Sequence, residues 1–353
     1  MTIGYIRPMA TMRELTFVEA GKVEFREARV PTLEGPGEAL VRPLAVSRCD
    51  LDFVFTQGKA PVTGPFPLGH ECIAEVLEVG DSVRSVVPGQ RVIVPFQISC
   101  GTCDACTKGF TGSCRTVPKL SAYGLGPLGG GTAFGGAISD VLRVPYADAM
   151  LVCLPDGVSP IVAAALGDNA VDGFRTVAAA LARNPGASVL VGGGGAPSVG
   201  LYAVAAARAL GASNVVYVDP NDGRAAVAEK LGAKAVREKC TPALRLGRFP
   251  ITVDATAREE GLRFLLGSTE PEGTCTSVGI YFADVALPLF EMYTRGVTFV
   301  TGRVHARREI PAALALAARG LLDLAPVATT IAAWDAAPEA WILPAPKLVL
   351  HRT

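Results

Sequence analysis

The chain has 353 residues, half of them hydrophobic, and its 33 basic and 33 acidic side chains give a formal net charge of zero. A single hydrophobic core stops growing at about 250 to 300 residues, so this length predicts two domains. The balanced charge excludes a broad basic or acidic field for nucleic acid or lipid headgroups, and it favours small, weakly charged ligands.

The chain contains no run of about 18 apolar residues, and its start lacks the cationic stretch and apolar core of a secretory signal. We therefore expect a cytoplasmic protein that binds neither membranes nor nucleic acid. The first strand-like pattern, RELTFVEA, begins after Met12, so the first dozen residues are either an extension or precede the true start.

From Met12 to about Pro155, short apolar runs alternate with stretches rich in Gly, Pro and Asp. Examples of these runs are ELTFVEAG, EALVRPLAV, CIAEVLEVGDSV and RVIVPF. Short strands at this spacing are typical of an all-β, barrel-like region with irregular loops.

Within this region, His70 and Glu71 follow a proline-rich loop in LGHE, and Cys49 lies upstream in VSRCDLDF. Imidazole, carboxylate and thiolate groups are all zinc ligands, and the chain has only three histidines. These residues therefore form a candidate open metal site. The alternative is a hydrogen-bonded histidine at the start of a strand.

The stretch CGTCDACTKGFTGSC, residues 100–114, has cysteines at the spacing C-x2-C-x2-C-x7-C. In a reducing cytosol, clustered cysteines are more often metal ligands than disulfides. Four thiolates make a closed tetrahedral zinc shell, which leaves no position for a substrate. An iron–sulfur cluster would need further spacing and a following proline, and a redox pair needs only two cysteines. We predict a structural zinc bound by Cys100, Cys103, Cys106 and Cys114.

From about Ser159 the pattern changes to alternating strands and helices. The runs SVLVGGGG, NVVYVD and FPITVDAT indicate strands, whereas VGLYAVAAARALGA and GRAAVAEKLGA indicate helices. This alternation predicts a parallel, doubly wound sheet. The tail returns to short strand-like pieces and is expected to rejoin the first domain. The predicted α/β protein has domains at residues 1–158 and 159–300, with a returning segment at 301–353.

The run VLVGGGGAPSVGLYAV places Gly193, Gly195 and Gly200 at a strand-to-helix turn. Without side chains, such a turn lets backbone amides and the helix N-terminus approach a pyrophosphate. The match to G-x-G-x-x-G is imperfect, because Ser198 stands at the third glycine position and Gly200 comes two residues later. Tight helix packing is the alternative reason for these glycines.

The next strand-like run ends at Asp219, where a carboxylate can accept hydrogen bonds from an adenosine ribose and repel a 2′-phosphate. This position favours NAD over NADP. The alternative is that Asp219 caps the turn DPND. Arg224, in the next helix, suits solvent exposure or stacking at least as well as phosphate binding.

The segments GHECIAEVLEVGDSV and PGQRVIV, the four-cysteine loop and the nucleotide domain together resemble the zinc-containing medium-chain alcohol dehydrogenases. The resemblance extends from about residue 13 to residue 353. It implies a GroES-like catalytic domain, a Rossmann domain, a catalytic zinc in the cleft between them, and hydride transfer to or from nicotinamide. It also implies a homodimer or a homotetramer.

The resemblance implies that His70 is a zinc ligand. It implies that Glu71 is either an adjacent ligand or a carboxylate that does not bind the metal but contacts its ligands. The third ligand comes from a stretch similar to LGDNAVDGFRT, where Asp168 replaces a frequent cysteine. Aspartate is an acceptable zinc ligand, and the formaldehyde dehydrogenases look similar at this point. The alternative for Asp168 is a helix N-cap.

The upstream cysteine departs from the family pattern, in which a zinc-binding cysteine precedes a hydroxyl that passes the alcohol proton. In this chain Ser47 precedes Cys49, so the two roles are exchanged. A shift of two residues in an extended segment keeps a side chain on the same face, so we expect Cys49 to bind the metal. Asp50 would then orient His70. The alternative is that the metal is weak or missing.

The proton relay is altered as well, because the histidine often found after Asp-Leu is Asp52 in this chain. Ser47 is a candidate for the relay hydroxyl, and the alternative is that it lies in a turn. His305 follows a strand near the point where family members contact nicotinamide, which makes it a further candidate.

We therefore expect a zinc-dependent, NAD-linked oxidoreductase that interconverts an alcohol and its aldehyde or ketone. Zinc would lower the pKa of a bound hydroxyl, and the cofactor would carry the hydride. The alternatives are a zinc-independent reductase on the same scaffold and a nicotinamide-binding protein without turnover.

Overall fold

The computed structural model describes residues 11–352, so the predicted N-terminal extension lies almost wholly outside the described residues. The strands are β1 (Thr11–Glu19), β2 (Lys22–Arg29), β3 (Ala39–Ser47), β4 (Phe66–Pro67), β5 (Glu71–Val79), β6 (Arg91–Val94), β7 (Leu142–Val144), β8 (Val152–Cys153), β9 (Val189–Gly192), β10 (Val215–Val218), β11 (Lys234–Val236), β12 (Phe249–Asp254), β13 (Thr269–Ser277), β14 (Thr298–Thr301), β15 (Thr330–Ala333) and β16 (Leu348–His351).

The α-helices are α1 (Asp50–Thr56), α2 (Asp104–Thr107), α3 (Ala147–Met150), α4 (Pro160–Ala163), α5 (Asn169–Arg183), α6 (Pro197–Ala209), α7 (Asp222–Lys230), α8 (Glu259–Ser268), α9 (Leu289–Arg295), α10 (Ala306–Ala318) and α11 (Ala337–Ile342). Short 3-10 helices cover Thr111–Ser113, Gly126–Gly129, Ala164–Gly167, Ala325–Val327 and Trp334–Ala336.

The first region is built from two sheets, one with the order β2-β1-β4 and a seven-stranded one with the order β15-β16-β3-β5-β6-β8, in which β7 pairs with β3. Strands β3 and β5 are antiparallel, and their apolar residues, such as Val46 and Ile73, are fully buried in the core. The register of this pair places Ser47 opposite Glu71. The end of β3 and the start of β5 therefore meet at one place.

The second region is a six-stranded parallel sheet with the order β11-β10-β9-β12-β13-β14. In chain order this is 3-2-1-4-5-6, the order of dinucleotide-binding sheets. The direction of winding reverses between β9 and β12, and ligands of such sheets bind beyond the carboxyl ends of the strands at that point. The prediction of a barrel-type region joined to a doubly wound α/β region is confirmed.

The last strands return to the first region, since β16 pairs antiparallel with β3 and parallel with β15. This return brings Lys347, directly before β16, beside the start of β5. Helix α10 packs instead on α5, beside the six-stranded sheet. The domain division at residues 158 and 300 stays a prediction, since β14 extends to Thr301 and α10 remains beside the six-stranded sheet.

Within residues 11–352, every helix is too short or too polar to cross a lipid bilayer. The cytoplasmic location stays a prediction from the sequence.

Candidate active site and zinc centres

A cluster of four donor side chains lies where the two regions meet. Cys49 precedes α1, His70 and Glu71 lie at the start of β5, and Asp168 precedes α5. All four side chains are buried, and one ligand atom from each lies within 4.8 Å of the others. The structure thus brings together the four residues that the sequence proposed for the catalytic metal.

Two glycines allow these segments to approach one another. Gly69 has a φ of +90°, and a Cβ there would come within 2.6 Å of the Ile138 side chain. A Cβ on Gly167 would lie 2.9 Å from the carbonyl oxygen of Val94. Any larger residue would push His70 or Asp168 away from the other donors, since a non-bonded carbon needs about 3.5 Å.

Both ring nitrogens of His70 are buried and lack a hydrogen-bond partner among the described residues. Nε2 lies 3.3 Å from Asp168 Oδ2, and Nδ1 lies 3.7 Å from Asp52 Oδ1. Burial opposes the charge of His70, but Asp52, Asp168 and Glu71 outweigh it and raise its pKa to about 9. The carboxylate behind His70 is therefore that of Asp52, and the prediction that Asp50 orients His70 is wrong.

Asp50 instead contacts the first turn of α6. Its carboxylate accepts hydrogen bonds from the backbone N–H groups of Ser198, at 3.0 Å, and Val199, at 3.3 Å. Exposed N–H groups at a helix N-terminus attract negative charge. Asp50 therefore joins the segment that carries Cys49 to α6, the helix that follows the glycine-rich turn.

The chemistry of the donor set fits a zinc ion. Burial raises the pKa of the Cys49 thiol, and the charges of Asp168 and Glu71 raise it further. Buried anions at such short distances are costly unless a cation pairs with them. Thiolate, imidazole and carboxylate are the ligands of catalytic zinc sites, which use three protein ligands and keep one position open. Cys49, His70 and Asp168 match that set, with Glu71 alongside.

Glu71 is held from two sides. Its Oε2 accepts a hydrogen bond from the Ser47 hydroxyl, and its Oε1 lies 2.7 Å from Lys347 Nζ. Burial raises the pKa of Glu71 to about 7, although the Lys347 charge opposes that rise. Ser47 is itself fully buried and its hydroxyl is engaged by Glu71. This geometry favours a positioning role for Ser47, and its role as a proton relay stays a prediction.

Two further residues of the site, Asn169 and Lys347, were not predicted from the sequence. Asn169 Nδ2 donates to Asp168 Oδ2 at 3.0 Å and to Cys49 Sγ at 3.3 Å, and its Oδ1 accepts from Lys347 Nζ at 2.7 Å. The only signal for Asn169 was its place directly after Asp168. Lys347 carried a weaker signal, a lone lysine before the apolar run LVL.

The glycine-rich turn joins β9 to α6, as the sequence predicted. A Cβ on Gly193 would lie 2.5 Å from Asp219 Oδ2, and Gly194 has a φ of +154°. Gly195 lines the same cavity as His70. Gly200 lies inside α6, where a Cβ would be 3.2 Å from Ala255, so it permits close packing of helix on sheet. Its part in cofactor binding stays a prediction.

Asp219 directly follows β10 and is fully buried. Arg224 binds both of its oxygens at 2.7 Å, and the Tyr217 hydroxyl donates to Oδ2 at 2.9 Å. Oδ1 also accepts from the backbone N–H of Asn221, as the turn-capping alternative expects. Both the ribose and the capping interpretations therefore remain compatible with this position.

Asp254, at the end of β12, is a second buried carboxylate that the sequence did not single out. It accepts hydrogen bonds from the backbone N–H of Thr256 at 3.0 Å, from Ser277 Oγ at 2.7 Å and from the Tyr281 hydroxyl at 2.7 Å. Asp254 thus fixes the loops after β12 and β13 at the point where the winding reverses.

A cavity of about 530 Å³ connects these elements. His70 and Asp168 line it together with Gly195 and Ser277. Much of the remaining lining is apolar, with Leu51, Val54, Phe96, Leu125, Leu128, Val278, Ile280 and Phe282. Concave, mostly apolar sites with a few polar groups are typical of small-molecule binding.

The four cysteines of residues 100–114 form a second cluster, with ligand atoms within 4.8 Å of one another. Cys103 Sγ lies 4.0 Å from Cys114 Sγ, which is too long for a disulfide. Four sulfurs at 2.3 Å from a tetrahedral zinc would lie about 3.8 Å apart. Burial opposes ionisation of Cys100, but N–H and hydroxyl donors around its sulfur lower its pKa to about 5. The loop therefore fits a structural zinc.

His305 contacts this loop rather than the cavity. Its Nδ1 accepts a hydrogen bond from the backbone N–H of Gly112 at 3.1 Å, and its ring packs against Phe110 with centroids 5.4 Å apart. His305 therefore joins α10 to the four-cysteine loop.

A barrel-type region with zinc-type donors beside a doubly wound sheet is the architecture of the zinc-containing dehydrogenases of the medium-chain class. Comparison with protein families agrees: residues 35–156 match the alcohol dehydrogenase GroES-like domain, and residues 198–319 match the zinc-binding dehydrogenase family. The chain belongs to the zinc-binding alcohol dehydrogenase family, and the predicted family is confirmed.

Individual relatives cover most of the chain. It is 30% identical over 335 residues to a protein described as a probable zinc-binding alcohol dehydrogenase of Mycobacterium tuberculosis, covering 94% of this chain and 84% of that protein. It is 30% identical over 307 residues to an alcohol dehydrogenase of Geobacillus stearothermophilus, covering 84% and 86%. The structure of the alcohol dehydrogenase TADH from Thermus sp. ATN1 superposes with a TM-score of 0.87 at 30% identity, covering 97% of this chain and all of that one. These relatives place the whole described chain within the zinc-binding alcohol dehydrogenase family.

Proposed function

We propose that the chain oxidises a small alcohol to its aldehyde or ketone, and reduces the carbonyl compound in reverse, with NAD and a catalytic zinc. The observation that carries this proposal is the position of the donor cluster. His70 and Asp168 line the same cavity as Gly195 of the nucleotide turn. The approach of Cys49 to these donors removes the main reason for considering a zinc-independent reductase.

The chemistry divides between the metal and the chain. Zinc bound by Cys49, His70 and Asp168 would polarise the substrate oxygen and lower the pKa of its hydroxyl. Asp52 and Asn169 hold the donors in place, and Lys347 compensates the charge of Glu71. The apolar lining keeps water away from the reacting carbon, which favours hydride transfer over side reactions.

Zinc content tests the two proposed metal sites. The protein purified without added metal should contain two zinc ions per chain, and Cys49→Ala should contain one and lose alcohol oxidation. Plasma mass spectrometry gives the zinc content and NADH absorbance gives the rate. The variant Cys275→Ala, at a buried cysteine away from both clusters, should keep both ions. Two zinc ions in Cys49→Ala would contradict the role of Cys49.

NAD is the proposed cofactor because Asp219 directly follows β10, where an adenosine ribose binds in sheets of this order. All four acceptor positions of the Asp219 carboxylate are occupied, two of them by Arg224. A ribose must therefore compete with Arg224, and the guanidinium weakens the repulsion of a 2′-phosphate. Discrimination between NAD and NADP is expected to be modest in the native protein.

Arg224→Ala should sharpen this discrimination, because it frees the Asp219 carboxylate and removes a cation near the 2′-position. We expect the ratio of kcat/KM for NAD over NADP to rise about tenfold, equivalent to about 1.4 kcal/mol. Lys230→Ala, at an exposed position of the same helix, is the control and should leave the ratio unchanged. A ratio that falls in Arg224→Ala would contradict the proposed effect of Arg224, and a native ratio below one would assign NADP as the preferred cofactor.

A homodimer is the proposed assembly, with β14 at its centre. This strand ends the six-stranded sheet, and no described residue pairs with its outer edge. Beside it, α9 has no buried residue, and Phe290 and Tyr293 are 79% and 84% exposed. Unpaired edges and large apolar patches mark interaction surfaces, and a second copy related by a two-fold axis would satisfy both.

The combined substitutions Phe290→Asp and Tyr293→Asp should yield a monomer in sedimentation velocity, whereas the native chain sediments as a dimer or a larger closed assembly. The charges would be buried without partners in the proposed interface. Leu343→Asp, at an exposed apolar residue outside this surface, should keep the native assembly. A native chain that sediments as a monomer would overturn the proposal.

A further inference from the structure

Arg303 lies two residues after β14 and lines the cavity that holds His70 and Asp168. Its guanidinium carbon lies 5.5 Å from the centroid of the Phe96 ring. The same ring lies 5.7 Å from the imidazole of His70, centroid to centroid. A single aromatic side chain therefore separates this cation from the proposed metal ligands.

The guanidinium has few partners in the protein. Its Nη1 is buried and makes no hydrogen bond within residues 11–352. Nη2 reaches only the carbonyl oxygen of Leu120, at 3.5 Å. Asp168 lines the same cavity, but its Oδ2 accepts a hydrogen bond from Asn169 and lies 3.3 Å from His70 Nε2.

A buried donor without a partner is costly, so the free Nη1 of this half-buried arginine in a cavity indicates a ligand that satisfies it. The planar fork of an arginine matches a carboxylate with two parallel hydrogen bonds. Much of the rest of the lining of this cavity is apolar, including Leu125, Leu128 and Phe282. A fitting ligand has an oxygen atom beside the donor cluster of Cys49, His70 and Asp168. It also has an apolar body against the apolar lining and an anionic group beside Arg303.

We propose that Arg303 binds a carboxylate of the substrate, so that the preferred substrates are hydroxycarboxylates and oxocarboxylates whose reacting carbon and carboxylate are separated by a short apolar chain. This inference rests on the proposed function and specifies its substrate class. Arg303 is a specificity-determining residue, because the reacting atoms lie at the other end of the cavity.

The test compares a series of ω-hydroxycarboxylates with 1-alkanols of equal chain length and with the methyl esters of the acids. In the native enzyme, kcat/KM for the best hydroxycarboxylate should exceed that of its alkanol by about ten- to a hundredfold, the usual effect of a charged hydrogen-bonded pair. In Arg303→Met this ratio should fall to near one. Arg303→Lys, which keeps the charge without the fork, should give an intermediate ratio. Arg319→Met, at an exposed arginine after α10, is the control and should keep the native ratio.

Calorimetric titration of the zinc-loaded protein with the same hydroxycarboxylate, without NAD, separates this inference from the proposed function. Its Kd should rise about tenfold or more in Arg303→Met. If binding is weaker in Arg303→Met, but neither the native chain nor any variant turns over substrate, the proposed function is overturned. The carboxylate site at Arg303 is then still supported. Equal Kd values, or a native ratio near one, would overturn the carboxylate site alone. If Arg303→Met lowers kcat/KM equally for the acids and the alkanols and raises KM for NAD, Arg303 contacts the cofactor. That result would overturn the inference.

Discussion

Asp168→Asn is expected to lower kcat/KM for alcohol oxidation by more than about a hundredfold and to remove one zinc per chain. Loss of a residue that only hydrogen-bonds to a metal ligand lowers metal affinity or activity by about 10- to 100-fold. Asp168 is proposed as a direct ligand, so its loss should have a larger effect. The amide has nearly the same shape but carries no charge, so it cannot balance zinc. Mass spectrometry of the metal and NADH absorbance measure the two effects.

Asp168→Cys is the matched variant for this prediction. A thiolate is a common zinc ligand, so this variant should keep both zinc ions and recover part of the activity. If Asp168 serves only as a helix N-cap, both variants should keep the metal. That outcome would contradict the proposed ligand set.

Lys347→Met is expected to destabilise the protein by about 3 to 5 kcal/mol, the cost of leaving one member of a buried ion pair without its partner. The side chains of Lys347 and Glu71 are both fully buried, with Nζ and Oε1 2.7 Å apart. Lys347 also loses its hydrogen bond to Asn169, which holds Asp168. Urea unfolding, followed by the fluorescence of the buried tryptophans, measures the loss.

The double variant Lys347→Met with Glu71→Gln separates the charge from the packing. Removing the unpaired carboxylate should restore part of the stability, so the two changes should be far from additive. Additive losses, or a loss below about 1 kcal/mol in Lys347→Met alone, would show that the pair contributes little.

Features encoded in short stretches were predictable. The four-cysteine spacing and the His70–Glu71 pair lie within single loops, so their residues are adjacent in any fold that contains those loops. The alternation of strands and helices likewise indicated the doubly wound sheet, because each element carries its own periodicity.

The error at Asp50 has a local cause. Two-residue periodicity holds for an extended segment, and it correctly placed Cys49 near the other donors. Immediately after Cys49 the chain enters α1, where Asp52 turns back to accept a hydrogen bond from the Cys49 backbone N–H at 3.0 Å. Asp52 therefore faces His70, and Asp50 points to α6.

Contacts between distant parts of the chain were not predictable. Lys347 reaches Glu71 across 276 positions, and no periodicity links residues so far apart. Arg303 carried no signal either, since an arginine in TGRVHAR suits a solvent-exposed loop equally well. In both cases the position depends on how separate sheets pack, which local sequence does not specify.

The pairing of β16 with β3 also determines when, during synthesis of the chain, the metal-binding region can complete its fold. When both donor clusters and the whole nucleotide sheet have already been synthesised, the chain still lacks β16, which pairs with β3, and Lys347, which pairs with Glu71. Pairings of such long range close late and slowly. On the ribosome, the nucleotide region can fold first, while the metal-binding region must wait for β16 and is exposed to aggregation in that interval.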